Sequence, residues 1–189
     1  MFVEQLVMAY SAEQDRLRAI LPDGFKSLRP VLRINAEIID CKTAYLEFNT
    51  AIEKDGIKGW LNIDCWHAVD FEKNGKTTVF RTDALYISFA AVGIQGACPA
   101  EKDNAGCFFL PNTNLRLPET ITANKEFCNC AFKWDFDNKG ASGKSIGKTL
   151  PAVATAIQNI YPKSDFTLKN AAAIPCQQVL GAYKVEFDR

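Results

Sequence analysis

Several groupings of residue types in this 189-residue chain have spacings that could carry chemistry. Along residues 45–52, strand-like alternation puts Tyr45, Glu47 and Asn49 on one side and Leu46, Phe48 and Ile52 on the other. A carboxylate between a phenol and an amide is a ligand contact or general acid/base if that side lines an interior, and a solvated edge if it does not. Cys65-Trp66-His67 sets a thiol and the only histidine on one strand face, the placement a Cys/His nucleophilic pair needs. The same alternation gives that face Leu61, Ile63, Val69 and Phe71, so the competing expectation is a buried imidazole beside an inert thiol. Cys128-Asn129-Cys130 offers two sulfurs on one face, but no second pair stands at ligand spacing, so core packing and no metal are expected. Gly143-Lys144-Ser145-Ile146-Gly147-Lys148-Thr149 approaches a phosphate-binding loop, yet three residues rather than four precede its Gly-Lys-Thr. A basic surface turn is expected there. Lysine serves as a Schiff-base nucleophile when desolvation or a neighbouring cation lowers its pKa, but no two lysines are adjacent, and each is expected in a solvated role.

The elements that must position these groups are mostly strands. Residues 61–71 alternate as a half-buried strand running into Asn74-Gly75, a type I′ turn dipeptide, and the Thr/Val/Phe-rich run 76–89 follows, which predicts a hairpin. Further strands are predicted over residues 6–10, 32–40, 45–52, 126–136 and 179–187. Ser11 and Gln14 suggest a capping box for a helix over 12–21, stopped by Pro22 and Gly24. A second helix is predicted after Thr149, with Leu150, Val153, Ile157 and Ile160 on one stripe and Tyr161-Pro162 at its end. The Gly/Pro/Asn-rich stretch 95–122 reads as a long loop with short strands. The fold class is therefore mainly β (a β-rich α+β chain), a closed or nearly closed antiparallel barrel with two short helices, in a single domain over 1–189.

Composition narrows the function. Lys plus Arg and Asp plus Glu both number 22, and a zero net charge argues against a nucleic-acid partner. The longest apolar run, 85–94, is interrupted by Ser88 and Gly93 and is too short for a membrane helix. The acidic start Met1-Phe2-Val3-Glu4 does not resemble a secretory signal, and the seven scattered cysteines are an odd number, so a cytoplasmic chain with reduced thiols is expected.

Tyr10 followed by Asp15, Leu17-Arg18 and Leu21-Pro22 resembles the opening strand and helix of acetoacetate decarboxylases. Tyr45-Leu46-Glu47, Ala51-Ile52 and Gly56-Ile57-Lys58-Gly59-Trp60 resemble that family's Y-x-E, A-I and G-x-K-G-aromatic elements, with the hairpin turn two residues shorter. These matches span about the first third of the chain, and the C-terminal strand is loosely similar. The resemblance implies the family's barrel with Tyr45, Glu47 and Asn49 facing an internal cavity. The family's Schiff base forms on the second lysine of a Pro-Lys-Lys element; here the corresponding stretch is the Asn74-Gly75 hairpin running to Arg81-Thr82-Asp83, and the sequence contains no Pro-Lys-Lys.

Three functions follow as expectations. The first is a protein that binds a small oxygenated, keto-acid-like molecule through Tyr45, Glu47, Asn49 and Arg33, with no cofactor and no metal. The second is a carbon-carbon lyase in which Glu47 acts with a lysine supplied from elsewhere, Lys76 or Lys58 standing nearest in sequence to the family's site. The third is a non-catalytic structural or subunit-interaction module. Assembly into a homo-oligomer stays open. Burial should raise the Glu47 carboxyl's affinity for a proton unless a cation such as Arg33 or Lys58 reaches it.

Overall fold

The computed structural model describes residues 1–98, 103–136, 140–145 and 161–189. Most of them lie in one sheet. Its centre is β1 (Phe2–Ser11), flanked by β2 (Lys26–Ile39), β3 (Thr43–Lys54) and β4 (Ile57–His67) on one side. On the other side stand β12 (Gln178–Asp188), β10 (Lys125–Trp134), β7 (Leu85–Gly96), β6 (Thr77–Arg81) and β5 (Asp70–Asn74). Short strands β8 (Cys107–Phe109) and β9 (Asn114–Arg116) extend the β4 edge, and β11 (Ser142–Ser145) pairs with β10. Helix α1 (Gln14–Ile20) links β1 to β2, and α2 (Leu168–Ala172) precedes β12.

The sheet curls so that its two halves face each other across the main core. Leu6, Met8 and Tyr10 of β1, Ile34 of β2 and Leu46 and Phe48 of β3 meet Phe80, Ile87, Phe89, Cys130, Phe132 and Trp134 from the other half. The Tyr10 and Phe132 rings are 4.7 Å apart and Phe48 and Trp134 4.6 Å. Burying each such ring or Leu side chain contributes roughly 1.5–3 kcal/mol, and this stabilises the curl without hydrogen bonds between the sheet's ends. The barrel is not closed: β5 and β9 are edges, and the outer side of β4 takes β8 in a short parallel pairing, Trp60 opposite Cys107. Period-two patterns identify strands but not which edge meets which, so this departure from a closed, wholly antiparallel barrel had no signal in the alternation.

The Asn74-Gly75 hairpin is present between β5 and β6. The strand predicted over 61–71 is two strands: the chain turns at Ala68, whose φ is 53°, and β5 begins on the opposite edge of the sheet. The run 76–89 is likewise broken at 82–84, where Thr82 Oγ1 accepts hydrogen bonds from the backbone N–H groups of Ala84 and Leu85. The capping box is absent, because Ser11 extends β1 and its hydroxyl is directed to the Gln178 carbonyl; Glu13 precedes α1 without a side-chain cap. The helix predicted after Thr149 and the Ile146 to Thr149 part of the glycine-lysine motif lie outside the described residues. Gly143 is not a turn residue but a strand residue of β11, where a side chain would meet Cys176. Short strands are expected in the 95–122 stretch, and β8 and β9 lie there. All seven cysteines are free thiols, and no helix among the described residues is long and apolar enough to cross a membrane.

Candidate functional site

The site grows from the face of β1–β4 that points away from the main core. Alternation on β2 sends Leu32, Ile34, Ala36 and Ile38 into the core and Arg33, Asn35 and Glu37 to the other face. Antiparallel register then lines up cross-strand rows: Arg33, Asn49 and Asn62; Asn35, Glu47 and Cys65; Glu37, Tyr45 and His67. A β-bulge makes the last members possible. Asn49 opposes Asn62 while Phe48 opposes Asp64, so Ile63 is an extra residue in β4. Leu61 and Ile63 pack with apolar clusters, while Cys65 and His67 turn to the polar face. The expectation that Leu61, Ile63, Cys65 and His67 share an apolar face is corrected on this ground, since one inserted residue inverts the alternation.

Glu47 is the hub. Its side chain has 0% exposure, and it accepts from the Tyr45 hydroxyl at 2.8 Å, from Asn49 Nδ2 at 3.3 Å and from the Arg116 guanidinium. The cation that reaches it is therefore Arg116 of β9, not Arg33 or Lys58. Arg33 instead donates through Nε to Asn49 Oδ1 at 2.8 Å and lies 3.7 Å over the Trp60 ring. Burial raises the Tyr45 phenol's pKa, and the Glu47 charge beside it raises it further. The Cys107 thiol is pushed up to about 12 by burial and by Glu47. Burial lowers the Arg116 pKa, but Glu47 more than offsets it, leaving the guanidinium above its ordinary value.

Over this face lies a cavity of about 590 Å³. Arg33, Asn35 and Glu37 of β2 and Tyr183 of β12 form part of its wall, and Cys107 and residues 116–121 roof it. Two ionic ties hold the roof: Arg116 to Glu47, and Arg189, which bonds Glu37 through its two terminal guanidinium nitrogens at 3.0 Å and also bonds Glu119. Asn35 is 6% exposed, and among the described residues no hydrogen bond reaches its Oδ1.

Of the residues singled out from the sequence, Tyr45, Glu47, Asn49 and Arg33 come together, but only Arg33 is part of the cavity wall; the other three form the hydrogen-bonded layer beneath. The two lysines are elsewhere. Lys58 is half-exposed and 3.5 Å from Asp103, and Lys76 is exposed on the far half of the sheet beside a small pocket with Glu4 and Lys184. Asn35 and Glu37 were legible from β2 alternation, whereas Arg116 and Cys107 come from the irregular 95–122 stretch, which carries no periodic signal. Among the described residues no cluster of three His, Cys, Asp or Glu side chains is arranged to hold a metal.

No protein-family model matches the sequence, and no curated protein matches it. The structure is similar to that of an acetoacetate decarboxylase from Legionella pneumophila subsp. pneumophila str. Philadelphia 1, with TM-score 0.55 and 12% identity over 98% of this chain and 81% of that one. An acetoacetate decarboxylase-like enzyme from Sphingomonas wittichii RW1 gives TM-score 0.49 and 10% identity over 98% of this chain and 87% of that one. On the first of these likenesses, the chain has the acetoacetate decarboxylase-like fold that its opening third resembles.

Proposed function

We propose that this chain acts as a single acetoacetate decarboxylase-like domain that binds a small oxygenated, keto-acid-like molecule in the cavity over Arg33 and Asn35, without a Schiff base. The observation that carries the reading is Asn35: a carboxamide oxygen nine-tenths buried, on a cavity wall, with no hydrogen-bond donor among the described residues. Leaving such an acceptor unpaired costs about 1–3 kcal/mol, which a ligand hydroxyl or enol would offset. Arg33 on the same wall suits a carboxylate, its guanidinium already oriented by Trp60 and Asn49. Among the described residues no lysine lines the cavity, which supports binding over amine catalysis.

The test joins binding to trapping. Short keto and hydroxy acids should raise the melting temperature of the wild-type protein. Asn35→Leu should raise the unliganded stability by about 1 kcal/mol, because it removes an unpaired acceptor, while abolishing the ligand-induced rise. Borohydride reduction in the presence of acetoacetate should leave the protein mass unchanged. Stoichiometric labelling of one lysine would overturn the reading in favour of a lyase, and a variant that still responds to ligand would remove Asn35 from it.

A further inference from the structure

We propose that Cys65 is a site of covalent modification by small disulfides, its thiol activated by His67. The β4 bulge brings the pair onto the polar face at the β4 end of the sheet, with Cys65 Sγ 3.9 Å from His67 Nε2. The imidazole is held: its ring centre lies 4.9 Å from that of Tyr45, whose hydroxyl is anchored on buried Glu47. Cys65 is partly exposed and His67 exposed, so a reagent reaches both. The charged and titratable groups facing them are Tyr45 and Glu47 across β3, the latter neutralised by Arg116, and Asp64 on β4 itself, whose carboxylate accepts the Cys65 backbone N–H.

The remaining thiols supply the contrast. Cys107, Cys128 and Cys130 are buried, Cys98 is half-buried against the cavity, and burial pushes the Cys128 and Cys176 thiols up to about 11. Cys41 is exposed, but the chain's one histidine stands at Cys65 and not at Cys41. With the neutral ring protonated on Nδ1, Nε2 takes the proton from Sγ, and the thiolate attacks one sulfur of the disulfide. The S–S bond breaks, the departing thiolate takes the proton from the imidazolium, and the products are a mixed disulfide at Cys65 and one free small thiol. One disulfide is exchanged for another, so no further oxidant is needed. The proposal stands apart from whatever occupies the cavity.

The experiment incubates the intact protein with oxidised glutathione at pH 7.5 and follows each cysteine by peptide mapping. Cys65 should be modified about tenfold faster than Cys41, because the thiolate is the reacting form and Cys65, unlike Cys41, has the imidazole beside it. His67→Gln should bring Cys65 down to the Cys41 rate and leave Cys41 unchanged. Equal rates at Cys65 and Cys41 in the wild-type protein would overturn the proposal without any variant, as would a His67→Gln rate equal to wild type. Labelling of Cys128 and Cys130 reports any variant that has unfolded, and the wild-type ratio then decides.

Discussion

Glu47 has lost all contact with water, and what it has gained is three donors aimed at two oxygens. Burying a carboxylate costs several kcal/mol unless its lone pairs are met, so Tyr45, Asn49 and Arg116 are what make the position tenable. Arg116 is itself 52% exposed, which limits the net gain from the pair but not the loss when the cation is removed. Arg116→Met should therefore cost about 2–4 kcal/mol in urea unfolding, because it strands a buried charge. In the Glu47→Gln background the same change should cost much less, with a coupling of about 1–3 kcal/mol; additivity within about 0.5 kcal/mol would show that the ion pair carries none of the local stability. Three of these four side chains were legible from one strand's alternation, since Tyr45, Glu47 and Asn49 repeat every second residue. Arg116 was not, because a residue more than sixty positions away in an aperiodic stretch has nothing in its local pattern to join it to Glu47.

At the scale of elements, the roof depends on a close approach of backbones. Gly59 of β4 and Gly106 ahead of β8 lie so near that a side chain on the first would strike the carbonyl of the second, which accepts the Trp60 N–H at 2.9 Å. Gly106 also has φ of 140°, and a side chain there would strike the Arg116 carbonyl. Only glycine satisfies both demands, so Gly106 sets where β9 sits and thus whether Arg116 reaches Glu47. Gly106→Ala should cost at least about 2 kcal/mol from overpacking and an unfavourable φ. It should also speed proteolysis within residues 103–121 while sites near β10 stay protected; unchanged cleavage there would mean the roof is held by other contacts. The G-x-K-G-aromatic resemblance contains Gly59, yet its partner glycine could not be read from the sequence, since a close approach is a property of two segments. The same limit explains the strands: alternation places them over residues 6–10, 32–40, 45–52 and 179–187, within or close to the longer β1, β2, β3 and β12, but the bulge at Ile63 and the break at Ala68 do not follow from it. Each is a single-residue event that reverses or ends a pattern without altering its composition.

Across the described parts of the molecule, burial holds several weak acids in their neutral forms. Cys107 ionises near 12 and Cys128 and Cys176 near 11, against an ordinary 9.0, while Cys130, Tyr10 and Tyr45 are also raised, in each case chiefly by burial. The sign of the linkage follows directly. Below pH 9 both folded and unfolded chains hold these protons, and the stability is complete. As pH rises past 9 the unfolded chain releases thiol protons that the folded chain retains, so stability falls with pH until the folded thiols ionise in turn between about 11 and 12. The tyrosines join above 10.0. Each deeply buried group contributes at most about 1.4 kcal/mol per pH unit in that window, and partly exposed Cys176 less. Melting temperatures measured with a reductant present should accordingly be flat from pH 7 to 8.5 and then drop steeply to pH 10.5. Cys107→Ala, which removes one titrating group next to the cavity, should make that drop shallower while lowering stability at pH 7. A melting temperature that holds constant to pH 10 would mean that these thiols exchange protons with solvent in the folded state.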